Sequence, residues 1–441
     1  MAEDVAKGYL MDLAERCMIQ VRERDIPTLK MRSFQMHDLM RDVCLSKAKQ
    51  EKFFDIADQS NACQLSTIGR VRRVSVHKFI SLQCIKSPRL RILLLFDEFL
   101  PKEEHEKLLP LTMRSYYDNH EDELFNPLVW FVMLLGVSML SIKYMGLWKN
   151  MFNNFNFLRV LDYEKGRGAG YKLPKDIGKL VHLRLLSLRD LEFLRLHQLR
   201  HLYLPKQCSR KTKLNLGTLR NLQTLVNFNT KNCYVKDLIN LTNIRELEIR
   251  GPFNIEDFNT EELEKNPPII QSKYLHSLSI INDEGRMDPR HLIRRLPEYH
   301  YLSSNLAYIK LIRCKLEKDP MATLEKLPNL RILEFHPRAF IGNEMLCSTQ
   351  GFPKLESLSL VCLPNLEEWK ADERALPCLR RMEIENCRQL KKLPDGLRFI
   401  ATLQELKIES MPKTFKDRVE EGGEDFCKVQ HVPSIIFQDC K

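Results

Sequence analysis

Leu355-Glu-Ser-Leu358-Ser-Leu360 is followed 24 residues later by Leu379-Arg-Arg-Met382-Glu-Ile384, and 24 after that by Leu403-Gln-Glu-Leu406-Lys-Ile408. Working outward, the same word is found at Leu183-Arg-Leu-Leu186-Ser-Leu188, Ile244-Arg-Glu-Leu247-Glu-Ile249, Leu275-His-Ser-Leu278-Ser-Ile280 and Leu330-Arg-Ile-Leu333-Glu-Phe335. Eleven copies run from Leu158 to Ile408, and from Leu306 onward they start at 306, 330, 355, 379 and 403. Within each word the fourth and sixth positions share one side of an extended chain, and the residue between them points to the other. One unit cannot bury its own apolar edge, so neighbouring units must stack.

A period of 24 or 25 residues with apolar positions at these offsets is the leucine-rich-repeat signature. It predicts an α/β fold, a leucine-rich-repeat solenoid or horseshoe, over 158–410. Val71-Arg-Arg-Val74-Ser-Val76 and Leu90-Arg-Ile-Leu93-Leu-Leu95 alternate in the same way, so a transition over 61–96 holds the first repeat-like strands. An irregular insert follows at 97–157. The copies at Leu183 and Leu199 start only 16 residues apart, which reads as a shortened rung. After Ser410 the leucine pattern stops, and 411–441 reads as a tail with a mobile acidic end at 420–425.

The first 60 residues follow a different rhythm. Val5, Tyr9, Leu10, Leu13 and Cys17 fall on one helical stripe. Met18–Val21 and Ser33–Met36 read as strands around a turn at Pro27, and 37–50 reads as a helix with Leu39, Met40 and Val43 facing inward. Phe53–Ile56 reads as a further short strand of the same module. Helix, strand, wing, strand, helix is the latter part of a winged-helix fold.

Composition excludes several classes. Thirteen cysteines include no Cys-x-x-Cys pair and no joined His cluster, which argues against a zinc site. No secretion signal starts at Met1, which points to a reducing, cytoplasmic setting with free thiols. The uncharged run Pro127–Leu140 is shorter than the roughly 20 residues a membrane span needs, so a span is not expected. No Ser/His/Asp, Cys/His or paired-carboxylate set stands out, and an enzyme is not expected. The net charge of +11 is concentrated: 141–220 hold 17 Lys/Arg against 5 Asp/Glu. A basic patch of this kind suits an acidic protein face. No recognition helix, zinc finger or stacking series accompanies it, which argues against nucleic acid.

At Glu3-Asp-Val-Ala-Lys-Gly-Tyr-Leu-Met-Asp-Leu13, Cys17-Met-Ile-Gln-Val21 and Gln35-Met-His-Asp-Leu-Met-Arg-Asp42 the chain resembles plant intracellular nucleotide-binding (NB-ARC) leucine-rich-repeat disease-resistance proteins of the coiled-coil subclass. Leu173-Pro-Lys-Asp-Ile-Gly-Lys-Leu180 and Leu363-Pro-Asn-Leu-Glu-Glu-Trp369 agree with it. The resemblance implies that His37, with Met36 and Asp38, lies near an ADP phosphate. The chain departs from the family pattern in lacking Gly-x-x-x-x-Gly-Lys-Ser/Thr, the loop that cradles phosphates. No bound ADP or ATP is therefore expected, and the reading is of an N-terminally truncated immune receptor with most of its nucleotide switch missing.

Such a receptor would bind a pathogen effector or a guarded host protein through residues between the leucines: Arg245, Glu246, Glu248, Tyr308, Lys310, Arg380, Arg381, Glu383, Gln404, Glu405 and Lys407. Lys172, Lys175 and Lys179 would form a basic patch that docks an NB-ARC domain in trans. The alternatives are a generic repeat scaffold, such as a ubiquitin-ligase substrate receptor, or a non-functional gene product.

Overall fold

A computed structural model describes residues 2–24, 31–51, 53–57, 72–76, 85, 87–96, 153–162, 179–187, 196, 198–204, 214–251, 272–282, 296, 299 and 302–440. The apolar run 127–140, nearly all of the expected insert, the Pro27 turn, Lys172 and Lys175 lie outside them. The chain divides into two compact units, one of 1–40 with 223–441 and one of 41–222.

Helix α1 (Ala2–Glu15) precedes β1 (Ile19–Arg24), which pairs antiparallel with β2 (Met31–Met36), and α2 (Asp38–Gln50) follows. The expected winged-helix elements are present, but not the expected inward faces. Helix α2 buries none of its residues: Leu39 is 70% and Val43 57% exposed, as is Tyr9 of α1 at 66%. Helical periodicity creates an apolar stripe, but it does not supply the surface that would cover it.

In the unit 41–222 the strands are β3 (Asp55–Ala57), β4 (Arg73–Val76), β5 (Ile92–Leu95), β6 (Val160–Asp162), β7 (Leu185–Ser187) and β8 (His201–Tyr203), each parallel to the next. The segment read as the last winged-helix strand is thus β3, a rung of the repeat sheet: Asp55 to Ala57 pair with Val74 to Val76. The shortened spacing before Leu199 does not break the ladder, because Leu185 to Ser187 still face His201 to Tyr203.

In the other unit a parallel run passes through β9 (Thr224–Asn229), β10 (Glu246–Arg250), β11 (Ser277–Ile281), β12 (Tyr308–Ile312) and β13 (Ile332–Phe335). On the return side, β14 (Glu344–Cys347) pairs only with β16 (Glu368–Ala371). The main run passes instead through β15 (Ser357–Val361), β17 (Arg381–Glu385), β18 (Glu405–Glu409) and β19 (Ser434–Gln438). The residues after Ser410 are therefore a further rung and not a mobile tail.

All eleven words become strands for one reason: their leucines stack in a dry column. Leu158, Leu183, Leu222, Leu275, Leu330 and Leu403 are each at most 1% exposed. Burying a leucine contributes about 1.5–3 kcal/mol, so each rung is fastened mainly by its two neighbours. Just past several strands the backbone turns with positive φ, at Gly251, Arg313, Cys362, Asn386, Ser410 and Asp439. There the amides of Cys362, Asn386 and Ser410 donate to Glu385, Glu409 and Gln438 of the next rung, at 2.8, 2.9 and 2.9 Å. One residue further on, the Cys314 and Cys387 thiols donate back to the Ile280 and Leu360 carbonyls at 3.5 and 3.4 Å. Burial pushes both thiols up to about 12, so they stay protonated donors.

Candidate protein-binding faces

Parallel register sorts the residues between the leucines into columns. One column reads Glu246, Ser277, Tyr308, Ile332, Ser357, Arg381, Glu405. The next reads Glu248, Ser279, Lys310, Glu334, Ser359, Glu383, Lys407. Neighbouring rungs lie about 4.8 Å apart, so side chains in one column touch. Of the expected contact residues, Arg245, Arg380 and Gln404 are exposed, Tyr308 is buried, and the rest are half-buried.

The structure joins two of them, Tyr308 and Lys310, through Glu334, which the sequence reading left out. Glu334 is 7% exposed and accepts the Tyr308 hydroxyl at 3.1 Å, the Lys310 ammonium at 3.0 Å and a His336 ring nitrogen at 3.0 Å. Burial alone would raise its carboxyl, but the His336 hydrogen bond and the Lys310 charge outweigh burial and hold it below the usual range. Further along, Lys407 pairs with Glu383 at 3.2 Å and with Glu409, while Ser359 donates to Glu383 at 3.2 Å. Glu385 is pushed up by burial and by the charges of Glu409 and Glu383. Glu383, Glu385 and Glu409 offer oxygens within 4.8 Å of one another. As a metal site the group is poor, because Lys407 already supplies a cation to two of the three.

The early rungs carry a different column. Arg72, Arg91, Arg159, Arg184 and Arg200 stand at one register position, each immediately before one of the strands β4 to β8. The Arg91, Arg159, Arg184 and Arg200 amides donate in turn to the carbonyls of Arg72, Arg91, Arg159 and Arg184, at 2.7, 2.7, 2.8 and 2.8 Å. All five arginines are exposed. Four of them directly follow the first leucine of their word, so aligning the copies would have revealed them. Of the basic patch named from sequence, only Lys179 is described; it is exposed and donates to Asn153 at 3.0 Å. An exposed stacked pair, Phe157 with His182, lies next to Arg159 and Arg184 in sequence.

His37 sits at the start of α2, where its Nδ1 accepts the Leu39 amide at 3.3 Å, with Asp38 in the first turn. Both residues are exposed and Met36 is half-buried. The arrangement caps a helix. His37 has one ring nitrogen so engaged.

Residues 1–44 match the family model described as the disease resistance protein winged helix domain, and 191–428 match the leucine-rich repeat region. The chain belongs to the plant disease-resistance leucine-rich-repeat proteins. In Arabidopsis thaliana it is 34% identical over 470 residues to disease resistance protein At1g59780, covering 98% of this chain and 47% of that protein. It is 31% identical to disease resistance protein RPP8 over 488 residues, covering 99% of this chain and 49% of that one. The chain thus spans about half the length of these relatives. Among solved structures, the Leptospira interrogans leucine-rich-repeat protein LIC12759 is similar at 16% identity and a TM-score of 0.40, covering 90% of this chain and 97% of that one. Among the described residues no helix is long and apolar enough to cross a membrane.

Proposed function

We propose that this disease-resistance protein works by binding and not by catalysis, as a cytoplasmic immune sensor. The columns from β10 to β18 capture a pathogen effector or a guarded host protein. The arginine column at the starts of β4 to β8 docks an acidic protein face, such as one on the family's nucleotide-switch domain in trans. The observation that carries this reading is the arginine column: five exposed guanidinium groups on consecutive rungs, with no ion pair among the described residues. Like charges at this spacing repel one another, and arginine binds carboxylates through two parallel hydrogen bonds. Carboxylates three or four residues apart on a helix lie about 5–6 Å from one another, close to the 4.8 Å rung spacing. Alternate residues of an extended strand lie roughly 6.6 Å apart and drift out of step.

The test is charge reversal. Arg159→Glu, Arg184→Glu and Arg200→Glu together should abolish co-purification with a co-expressed NB-ARC domain of the family and leave the fold unchanged. Undiminished co-purification would sink the docking role. For the second face, alanine at Tyr308, Lys310, Arg381, Glu383, Glu405 and Lys407 should remove proteins proximity-labelled in challenged leaf tissue, and an unchanged labelled set would remove that face from the proposal.

A further inference from the structure

The segment after the last leucine word is folded around a buried charge. Helix Lys413–Val419 buries Phe415 and Val419, a single turn follows at Phe426–Lys428, and β19 then lies parallel to β18. At its centre Asp425 is 1% and Lys428 5% exposed. Their side chains meet at 2.8 Å, and Lys428 also reaches Asp395 at 2.9 Å. Both grip one residue of the preceding rung. Asp425 accepts the buried Leu393 amide at 3.1 Å, and the Lys428 ammonium donates to the Leu393 carbonyl at 2.7 Å. Arg418 reaches Asp425 from the helix at 3.3 Å, and His431 meets the Ile400 carbonyl at 3.0 Å.

We infer that Pro412–Gln438 is a clasp: a strap that closes on Leu393 through Asp425 and Lys428 and opens as a unit, releasing the end of the sheet. Apolar packing alone would loosen gradually. A buried pair does not, because losing either partner leaves the other buried charge with only a more exposed counter-charge, Asp395 for Lys428 or Arg418 for Asp425. Among the described residues β19 has β18 as its one neighbour, and a rung with one neighbour opens more easily than a rung with two. The released strands include β18, which carries Lys407 and Glu409, so the clasp fixes the last rung of the polar columns. The inference does not depend on which partner those columns bind.

Hydrogen exchange read by mass spectrometry on the full chain tests it. Asp425→Asn should speed exchange of the β18 and β19 amides on the order of a hundredfold, with 308–361 unchanged. Asp425→Asn with Lys428→Met, which leaves no lone buried charge, should recover much of the protection. Equal exchange in the wild type and Asp425→Asn would overturn the clasp. So would an equal rise across β12 to β15, which would show that the strap is not a separate unit. Should Asp425→Asn fail to fold, Asp395→Asn removes only the outer partner of Lys428 and must still speed β19 relative to β15, or the inference is wrong.

Discussion

Two stretches of one repeat pattern handle charge in opposite ways. At the starts of β4 to β8 five arginines share a column, and no acid among the described residues pairs with them. On β12 to β18 acids pair with bases on the same or neighbouring rungs, Lys310 against Glu334 and Lys407 against Glu383 and Glu409. The leucines are the same in both regions, so scaffold stability does not require either arrangement. A self-paired face is stable alone and recognises a partner by shape and by exchanging hydrogen bonds. An unpaired cationic column gains from any matched polyanion and attracts it over a distance. One scaffold can therefore present a selective surface and an electrostatic dock.

The largest test of this contrast is Glu334→Ala. It leaves a half-buried ammonium and a buried hydroxyl without their acceptor, and should cost about 2–3 kcal/mol in urea unfolding followed through the late rungs. A loss below about 0.5 kcal/mol would mean the pairing is incidental. Acid should act on the same region. Glu334 and Asp425 both hold their carboxyls below the usual range: for Asp425, burial raises it but Lys428, the Leu393 amide and Arg418 outweigh burial. A group whose folded-state value is depressed contributes stability above its unfolded value near 4, and loses it as pH falls further. Late-rung amides should therefore lose protection first on acidification below about pH 4. Melting that was uniform along the chain with falling pH would break the distinction.

Next in size is a binding effect. The Arg159, Arg184 and Arg200 glutamate triple should elute from heparin at markedly lower salt, because release of counterions scales with the charges engaged. The same change at Arg245, Arg331 and Arg380 should move elution less. Those three share the register position but are separated by His276, Ala307 and Glu356, and Arg331 already pairs with Glu356 at 2.9 Å. Equal shifts would show that only total charge counts.

What the sequence made legible follows the same line. Leucine offsets alone located the eleven strands and the rungs at Val74 and Leu93, because each word carries its own burial pattern. Pairing partners are not local, so Asp55–Ala57 read as part of the winged helix when it joins β4. Val432-Pro-Ser-Ile435-Ile-Phe437 has the same offsets without a leucine, and β19 was missed for that reason. For the binding faces, alternation identified which residues face away from the core, but Glu334 was left out because its word, Leu333-Glu-Phe335, gives no sign that three donors from other positions converge there. The charge count drew attention to 141–220, which holds three of the five arginines of the column. It pointed to lysines clustered in sequence, whereas the structure aligns arginines that are 16 to 68 residues apart in sequence.

The smallest expected effect is the most discriminating for the pairing argument. Arg331 and Glu356 are adjacent in their column at 2.9 Å, yet their side chains are 56% and 35% exposed. Water screens such a pair and ordering two long side chains offsets the gain, so a double-mutant cycle with alanine should give coupling of only a few tenths of a kcal/mol. Lys310 with Glu334 has nearly the same separation, 3.0 Å, but at 20% and 9% exposure. Its coupling should be several times larger, since the competing water is mostly gone. Distance is thus held constant while burial changes. If the two cycles returned equal couplings, burial would not be what distinguishes the paired late face, and the contrast with the arginine column would reduce to a difference in charge count.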